Sequence, residues 1–225
     1  MIWHPSPNFG PRRDGLRPQF VVLHYTAMDT AEAALVRLCD PEAEVSAHYL
    51  ISNSGTLWQM VREEDRAWHA GAGEWRGLSD INSRSIGIEL DNRGTHPFSE
   101  AQMAVLDRLL ADILSRWALP PEAVIAHSDL APGRKGDPGA RFDWARLALQ
   151  SLAAPTPKAR AGQGGDLEAA LVAAGYSAPV SCEDRLAAFR LRHRPQASGP
   201  ASPEDHAILE ALAQAQPLDR TAGHA

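Results

Sequence analysis

Three short apolar runs, each closed by a polar side chain, constrain this chain more than any other feature. They are Phe20–Leu23 followed by His24, Ile86–Ile88 followed by Glu89, and Val124–Ala126 followed by His127. Runs this short and this rich in β-branched residues read as buried strands. Longer helical stretches separate them. Thr30 to Cys39 reads as one helix. Ser99–Gln102 reads as a capping box that opens a second, running through Trp117 with Val105, Leu106, Leu109, Leu110 and Ile113 on one face. His48–Ile51 and Thr56–Val61 flank Ser52–Gly55, a hairpin signal, and Asp143 to Leu152 reads as a closing helix. The pattern predicts an α/β (α+β) fold over residues 1–152, with a central mixed β-sheet flanked by helices.

From residue 153 to 165 the composition shifts to Ala, Pro, Gly, Lys and Gln, which reads as a linker. Three short helices are expected over residues 166–216: Asp166 to Ala174, Ser181 to His193, and one from Ser202. Leu186, Phe189, Ile208, Leu209 and Leu212 would form their shared core. Residues 217–225 carry no apolar periodicity and are expected to be disordered.

Composition narrows the function classes. A hydrophobic content of 44% is enough to build a core, and no stretch approaches the roughly 20 apolar residues of a membrane span. A net charge of −6, with 22 basic residues scattered along the chain, argues against nucleic-acid binding, which needs clustered Lys and Arg. The two cysteines, Cys39 and Cys182, imply no disulfide framework and read as buried small apolar residues. The first residues lack a basic stretch followed by an apolar one, so a cytoplasmic location is expected, or a periplasmic one if the chain is a processed form. A monomer is expected.

His24, Glu89 and His127 each stand where a strand end presents a side chain to a cleft. Ten residues past His127, Asp137 lies in a loop dense in Gly and Pro. Two imidazoles and a carboxylate are a recognised set for catalytic zinc with one position left open. Spacing alone leaves a second reading, because the chain holds nine histidines and any pair can be satisfied core or surface groups.

The full strings are more specific. Val22–Thr26 reads VLHYT, Val45–Ile51 VSAHYLI, Ala67–Gly71 AWHAG, Asn82–Glu89 NSRSIGIE and Ala126–Gly139 AHSDLAPGRKGDPG. Together, and in this order, they resemble the type 2 N-acetylmuramoyl-L-alanine amidases, a family that also includes the peptidoglycan recognition proteins. The resemblance covers residues 3 to 150 and is nearest the bacterial branch of cytoplasmic anhydro-muropeptide amidases and their lipid-anchored periplasmic relatives.

That resemblance implies His24, His127 and Asp137 as zinc ligands, Glu89 as the carboxylate that handles protons, and Lys135 as the group that stabilises the oxyanion. It implies hydrolysis of the amide between N-acetylmuramic acid, or its anhydro form, and L-alanine, in peptidoglycan or soluble muropeptides, for wall recycling or turnover. His69 is expected as a substrate contact, with Trp68 and Tyr25 beside it. Asn82 and Arg84 are expected to line the same cleft, Arg84 gripping a peptide carboxylate. Residues 166–216 resemble a small peptidoglycan-binding domain, with a helical lid or packing domain as the other reading. Non-catalytic recognition modules of the same fold are the rival for the whole chain, but they generally lose a zinc ligand, and all three are present here.

Overall fold

The computed structural model describes residues 1–158 and 164–215. Eight strands form two sheets: β1 (Ile2–Trp3), β2 (Phe9–Pro11), β3 (Phe20–Tyr25), β4 (Tyr49–Ile51), β5 (Leu57–Gln59), β6 (Asp65–Ala67), β7 (Ser85–Leu90) and β8 (Val124–Ala126). The main sheet has the order β1-β5-β4-β7-β3-β8, and β2 pairs with β6 apart from it. In the main sheet β4, β7, β3 and β8 run parallel, while β5 returns antiparallel to β4 across the expected hairpin. The sheet is therefore mixed, as the sequence predicts. The two-residue β1 and the β2–β6 ribbon are too short to leave a periodic signal.

Strand alternation decides what faces what. Val21 and Leu23 of β3, Ile86, Ile88 and Leu90 of β7, and Val124 and Ala126 of β8 point to one face, where α3 (Glu100–Trp117) covers them with Leu106, Leu110 and Ile113. Each Val, Leu or Ile side chain among them taken fully out of water contributes about 1.5–3 kcal/mol. Ser99 caps α3 through its hydroxyl, which accepts from the Gln102 N–H. The expected reciprocal half of the box is absent: the Gln102 amide reaches instead to the Ile51 and Asp91 carbonyls, at 2.8 and 3.2 Å, and ties the helix to the sheet. The short helix α5 (Trp144–Leu149) completes this face with Trp144 and Leu147.

On the opposite face α1 (Ala31–Leu38), opened by a Thr30 cap, packs against Leu50 and Met60. Two single-turn helices, α2 (Ile81–Arg84) and α4 (His127–Leu130), lead into β7 and out of β8. Phe20, Val22 and Ile125 meet Ile81 and Leu130 there, and the same cluster continues without a break into the C-terminal helices α6 (Leu167–Ala173), α7 (Cys182–His193) and α8 (Pro203–Ala215).

The helices stand where the sequence places them, but the private core expected for them is shared with the sheet. Leu186, Phe189, Ile208, Leu209 and Leu212 belong to one cluster with Phe20, Val22 and Ile125. The physical reason is size, since a unit of about 50 residues buries too little apolar surface alone. Residues 159–163 of the expected linker, and the expected disordered tail 217–225, lie outside the described residues. Cys39 and Cys182 are free and half-buried, less enclosed than expected. Among the described residues no helix is long and apolar enough to cross a membrane.

Candidate metal centre and active site

The alternation that sends Leu23, Ile88 and Ala126 toward α3 sends His24, Glu89 and His127 to the other face, at the carboxyl ends of three adjacent strands. His24 and Glu89 are directly paired in the parallel β3–β7 register. The loop after α4 turns back through an Asp137 carbonyl that accepts from the Ser128 N–H at 3.0 Å, which brings the Asp137 side chain to the two histidines. His24 Nδ1, His127 Nδ1 and Asp137 Oδ2 form a buried triangle with all three edges 2.9 Å long.

Hydrogen-bond accounting around this triangle fixes the imidazole tautomers. The Ser85 hydroxyl donates to the Ile81 carbonyl at 2.6 Å, so at His69 Nε2, 3.1 Å away, it can only accept. His69 therefore carries its proton on Nε2 and presents a bare Nδ1, 3.0 Å from His24 Nε2, which must donate. His24 Nδ1 is left bare. On the other side His127 Nε2 donates to the Ala70 carbonyl at 2.9 Å, leaving its own Nδ1 bare. Two imidazole lone pairs and a carboxylate oxygen thus converge with no proton between them, an arrangement that repels itself unless a cation sits among the three atoms. The donor set fits a divalent metal held by two neutral imidazoles and one carboxylate, each imidazole oriented through its other nitrogen.

The electrostatics agree. Burial, then the neighbouring His127, lowers His24 to about 4, so it is neutral at physiological pH. Glu89 goes the other way: burial, then the Asp137 charge, pushes it up to about 8. Glu89 Oε2 is shut off from solvent and has no hydrogen-bond partner among the described residues.

A cleft of about 420 Å³ opens over the triangle, lined among others by Tyr25, Trp68, His69, Glu89 and Lys135. Lys135 is exposed at its rim. His69 faces the cleft, but both of its ring nitrogens are engaged, toward His24 and Ser85, so what remains for a ligand is the ring itself. The ring lies on Gly87, where an added Cβ would stand 2.4 Å from His69 Cγ. His48, buried beside it, accepts the Gly87 N–H at 2.9 Å and serves the sheet.

Two expected cleft residues are elsewhere. The Asn82 side-chain oxygen accepts the N–H groups of His69 and Ala70, at 3.0 and 2.8 Å, and fixes the segment that carries His69. The Arg84 guanidinium donates to the Ser79 carbonyl and the Gln19 amide. Arg84 ends α2, just before β7 and five residues before Glu89, and at about 3.3 Å per residue that is roughly 16 Å from the cleft end of the strand.

Two contributors escaped the sequence reading. Ser85 supplies the acceptor that sets the His69 tautomer. Arg134 donates to the Ala70 carbonyl at 2.9 Å and also to the Ala72 carbonyl, bracing the loop after β6 that receives His127. Arg134 lies inside the Ala126–Gly139 string, but a bond to a distant backbone carbonyl leaves no mark in sequence.

Fold and site together define a hydrolase with a potential metal centre at the strand ends of a mixed sheet. The chain belongs to the N-acetylmuramoyl-L-alanine amidase family, whose model matches residues 14–140. It is 37% identical over 230 residues to N-acetylmuramoyl-L-alanine amidase AmiD of Escherichia coli (strain K12), covering 87% of this chain and 82% of that protein. It is 34% identical over 162 residues to 1,6-anhydro-N-acetylmuramyl-L-alanine amidase AmpD of the same organism, covering 64% of this chain and 88% of that one. Among solved structures, AmiD from E. coli in complex with the substrate anhydro-N-acetylmuramic acid-L-Ala-D-gamma-Glu-L-Lys superposes with a TM-score of 0.80 at 35% identity, covering 92% of this chain and 93% of that one.

Proposed function

We propose that this chain is a zinc-dependent amidase that hydrolyses the bond between N-acetylmuramic acid, or its anhydro form, and L-alanine in muropeptides, for peptidoglycan recycling or turnover. The observation that carries the reading is the buried triangle of His24 Nδ1, His127 Nδ1 and Asp137 Oδ2, three bare acceptors beside an unpartnered Glu89 oxygen. The substrate class is supported by the AmiD complex, whose ligand is an anhydro-muramyl tripeptide.

His24, His127 and Asp137 would hold zinc, which supplies a Lewis acid for the scissile carbonyl and lowers the pKa of a water molecule to about 7. Glu89 takes the proton of the attacking water and delivers it to the leaving L-alanine nitrogen. Left to burial, Glu89 favours its neutral form. A positive charge held in the same cleft favours its carboxylate, the form a base requires. Lys135 offers an ammonium to the negative charge that grows on the carbonyl oxygen. Tyr25, Trp68 and the ring of His69 form apolar walls that orient the sugar and the first residue of the stem.

The test is incubation of zinc-loaded protein with soluble anhydro-muramyl tripeptide and, in parallel, with intact sacculi, released peptide being followed by mass spectrometry. Chelator-sensitive release of a peptide with a free L-alanine amino terminus is expected, and the faster substrate assigns the enzyme to recycling or to wall turnover. Metal bound with no release from either substrate would mean a recognition module instead.

A further inference from the structure

The α6–α8 region holds a buried carboxylate, Asp129, in the turn that carries the metal ligand His127. Asp129 lies two residues past His127 and is fully buried. Its Oδ2 accepts the Ala126 N–H at 2.8 Å, which fixes the turn from β8 into α4 on which His127 stands. The other partners of Asp129 come from the C-terminal region. The Tyr176 hydroxyl donates to Oδ1 at 3.0 Å, and the Arg192 guanidinium donates to Oδ2 at 3.0 Å and to the Val124 carbonyl at 3.2 Å.

Both donors are themselves held in place. The Tyr176 ring stacks edge-on against Trp75 and Phe189, and Arg192 lies 4.0 Å above the Trp144 ring. The same region clasps the segment that follows His69, where the Arg76 N–H donates to the Gly175 carbonyl and the Gly77 N–H to the Ser177 hydroxyl. It also seats the Asp137 loop: a Cβ on Gly133 would stand 2.7 Å from the Asp184 carboxyl.

We propose that Tyr176 and Arg192 are positioning residues for the metal ligand His127, acting through Asp129, so that the C-terminal helices form part of the scaffold of the metal site. Asp129 without these donors is a buried carboxylate short of hydrogen bonds; it turns to find new partners, and that movement strains the bond from the Ala126 N–H, which sets the angle at which His127 enters the triangle. The inference rests on the metal reading above, and its test separates the two.

Zinc affinity of the full chain is measured by competition with a chromophoric chelator, at a temperature where circular dichroism shows every variant folded. Tyr176→Phe keeps the ring and removes only the hydroxyl, and Arg192→Met keeps the stem. Asp205→Asn is the control. It weakens the Arg190–Asp205–Arg194 cluster that binds α7 to α8, at 2.6 Å on each side, without touching Asp129. The expected result is zinc affinity about ten-fold weaker in Tyr176→Phe and Arg192→Met, and unchanged in Asp205→Asn even where its Tm falls. Unchanged affinity in both Asp129-side variants, or an equal loss in Asp205→Asn, overturns the proposal. A wild-type chain that binds no zinc would instead overturn the metal reading.

Discussion

His24 and Glu89 are register partners on adjacent parallel strands, one with its bare nitrogen in the ligand triangle and the other a half-buried glutamate whose enclosed Oε2 has no partner among the described residues. Their neighbouring positions give them a shared cleft, and the proposed function gives them opposite duties, His24 as a metal ligand and Glu89 as the group that moves a proton.

The pair separates binding from turnover. Glu89→Gln should lose at least 100-fold in turnover, within the usual range for a general acid–base group, while zinc content stays at the wild-type level by elemental analysis. Asp137→Ala should lose both metal and turnover. Full activity in Glu89→Gln would remove its proton-handling role.

Lys135 is exposed at the rim and takes no part in the triangle, so Lys135→Ala should leave zinc content intact. Its rate should fall by about 10²- to 10³-fold, as when one oxyanion donor is removed, with the loss in kcat. A loss confined to KM would reassign Lys135 to substrate binding.

The tautomer relay from Ser85 through His69 to His24 predicts effects at residues that touch no ligand. Ser85→Ala removes the acceptor for His69 Nε2, lets the ring adopt the other tautomer, and should weaken zinc binding by about ten-fold. Gly87→Ala should act more strongly, because the new methyl would occupy the place of the His69 ring. Calorimetric zinc titration reads both, and wild-type affinity in Ser85→Ala would break the relay.

Far from the cleft, Glu63 gives a pH signature. Burial by itself would raise this carboxyl, but hydrogen bonds from Arg116, Tyr49 and Trp117 outweigh it and hold Glu63 below its ordinary 4.5. A carboxyl lowered in the folded state contributes stability that is present above the unfolded value and lost as pH falls through the folded one. The wild type should therefore lose Tm more steeply than Glu63→Gln below about pH 4.5, and the two should differ by a constant amount above it. Parallel profiles across the acid range would contradict the assignment.

The strands that carry the candidate site were legible as short apolar runs, but the roles of the histidines and the glutamate that close them came from the family likeness of the full strings, since spacing alone left core or surface groups open. Their strand-end positions were read from the sequence, whereas the common face of His24, Glu89 and His127 follows from the parallel register of β3, β7 and β8. Asp137 required the loop to return, and the string around it supplied that through family likeness, not through periodicity. Asn82 and Arg84 were misplaced because sequence proximity to Glu89 says nothing about which end of β7 a side chain occupies. Ser85, Arg134 and Asp129 act through partners 16, 64 and 63 positions away respectively, and pairings of that span leave no local pattern to read. The C-terminal helices were found by their caps, while their shared core with the sheet depends on Phe20, Val22 and Ile125, which no helical pattern reveals.

The most direct test of the central claim is restoration of activity to chelated protein. Zinc is returned in steps while release of the stem peptide from anhydro-muramyl tripeptide is followed. No release is expected from the metal-free chain, and release should rise with added zinc to a plateau at one ion per chain. Undiminished release from metal-free protein, or none at saturating zinc, would contradict it.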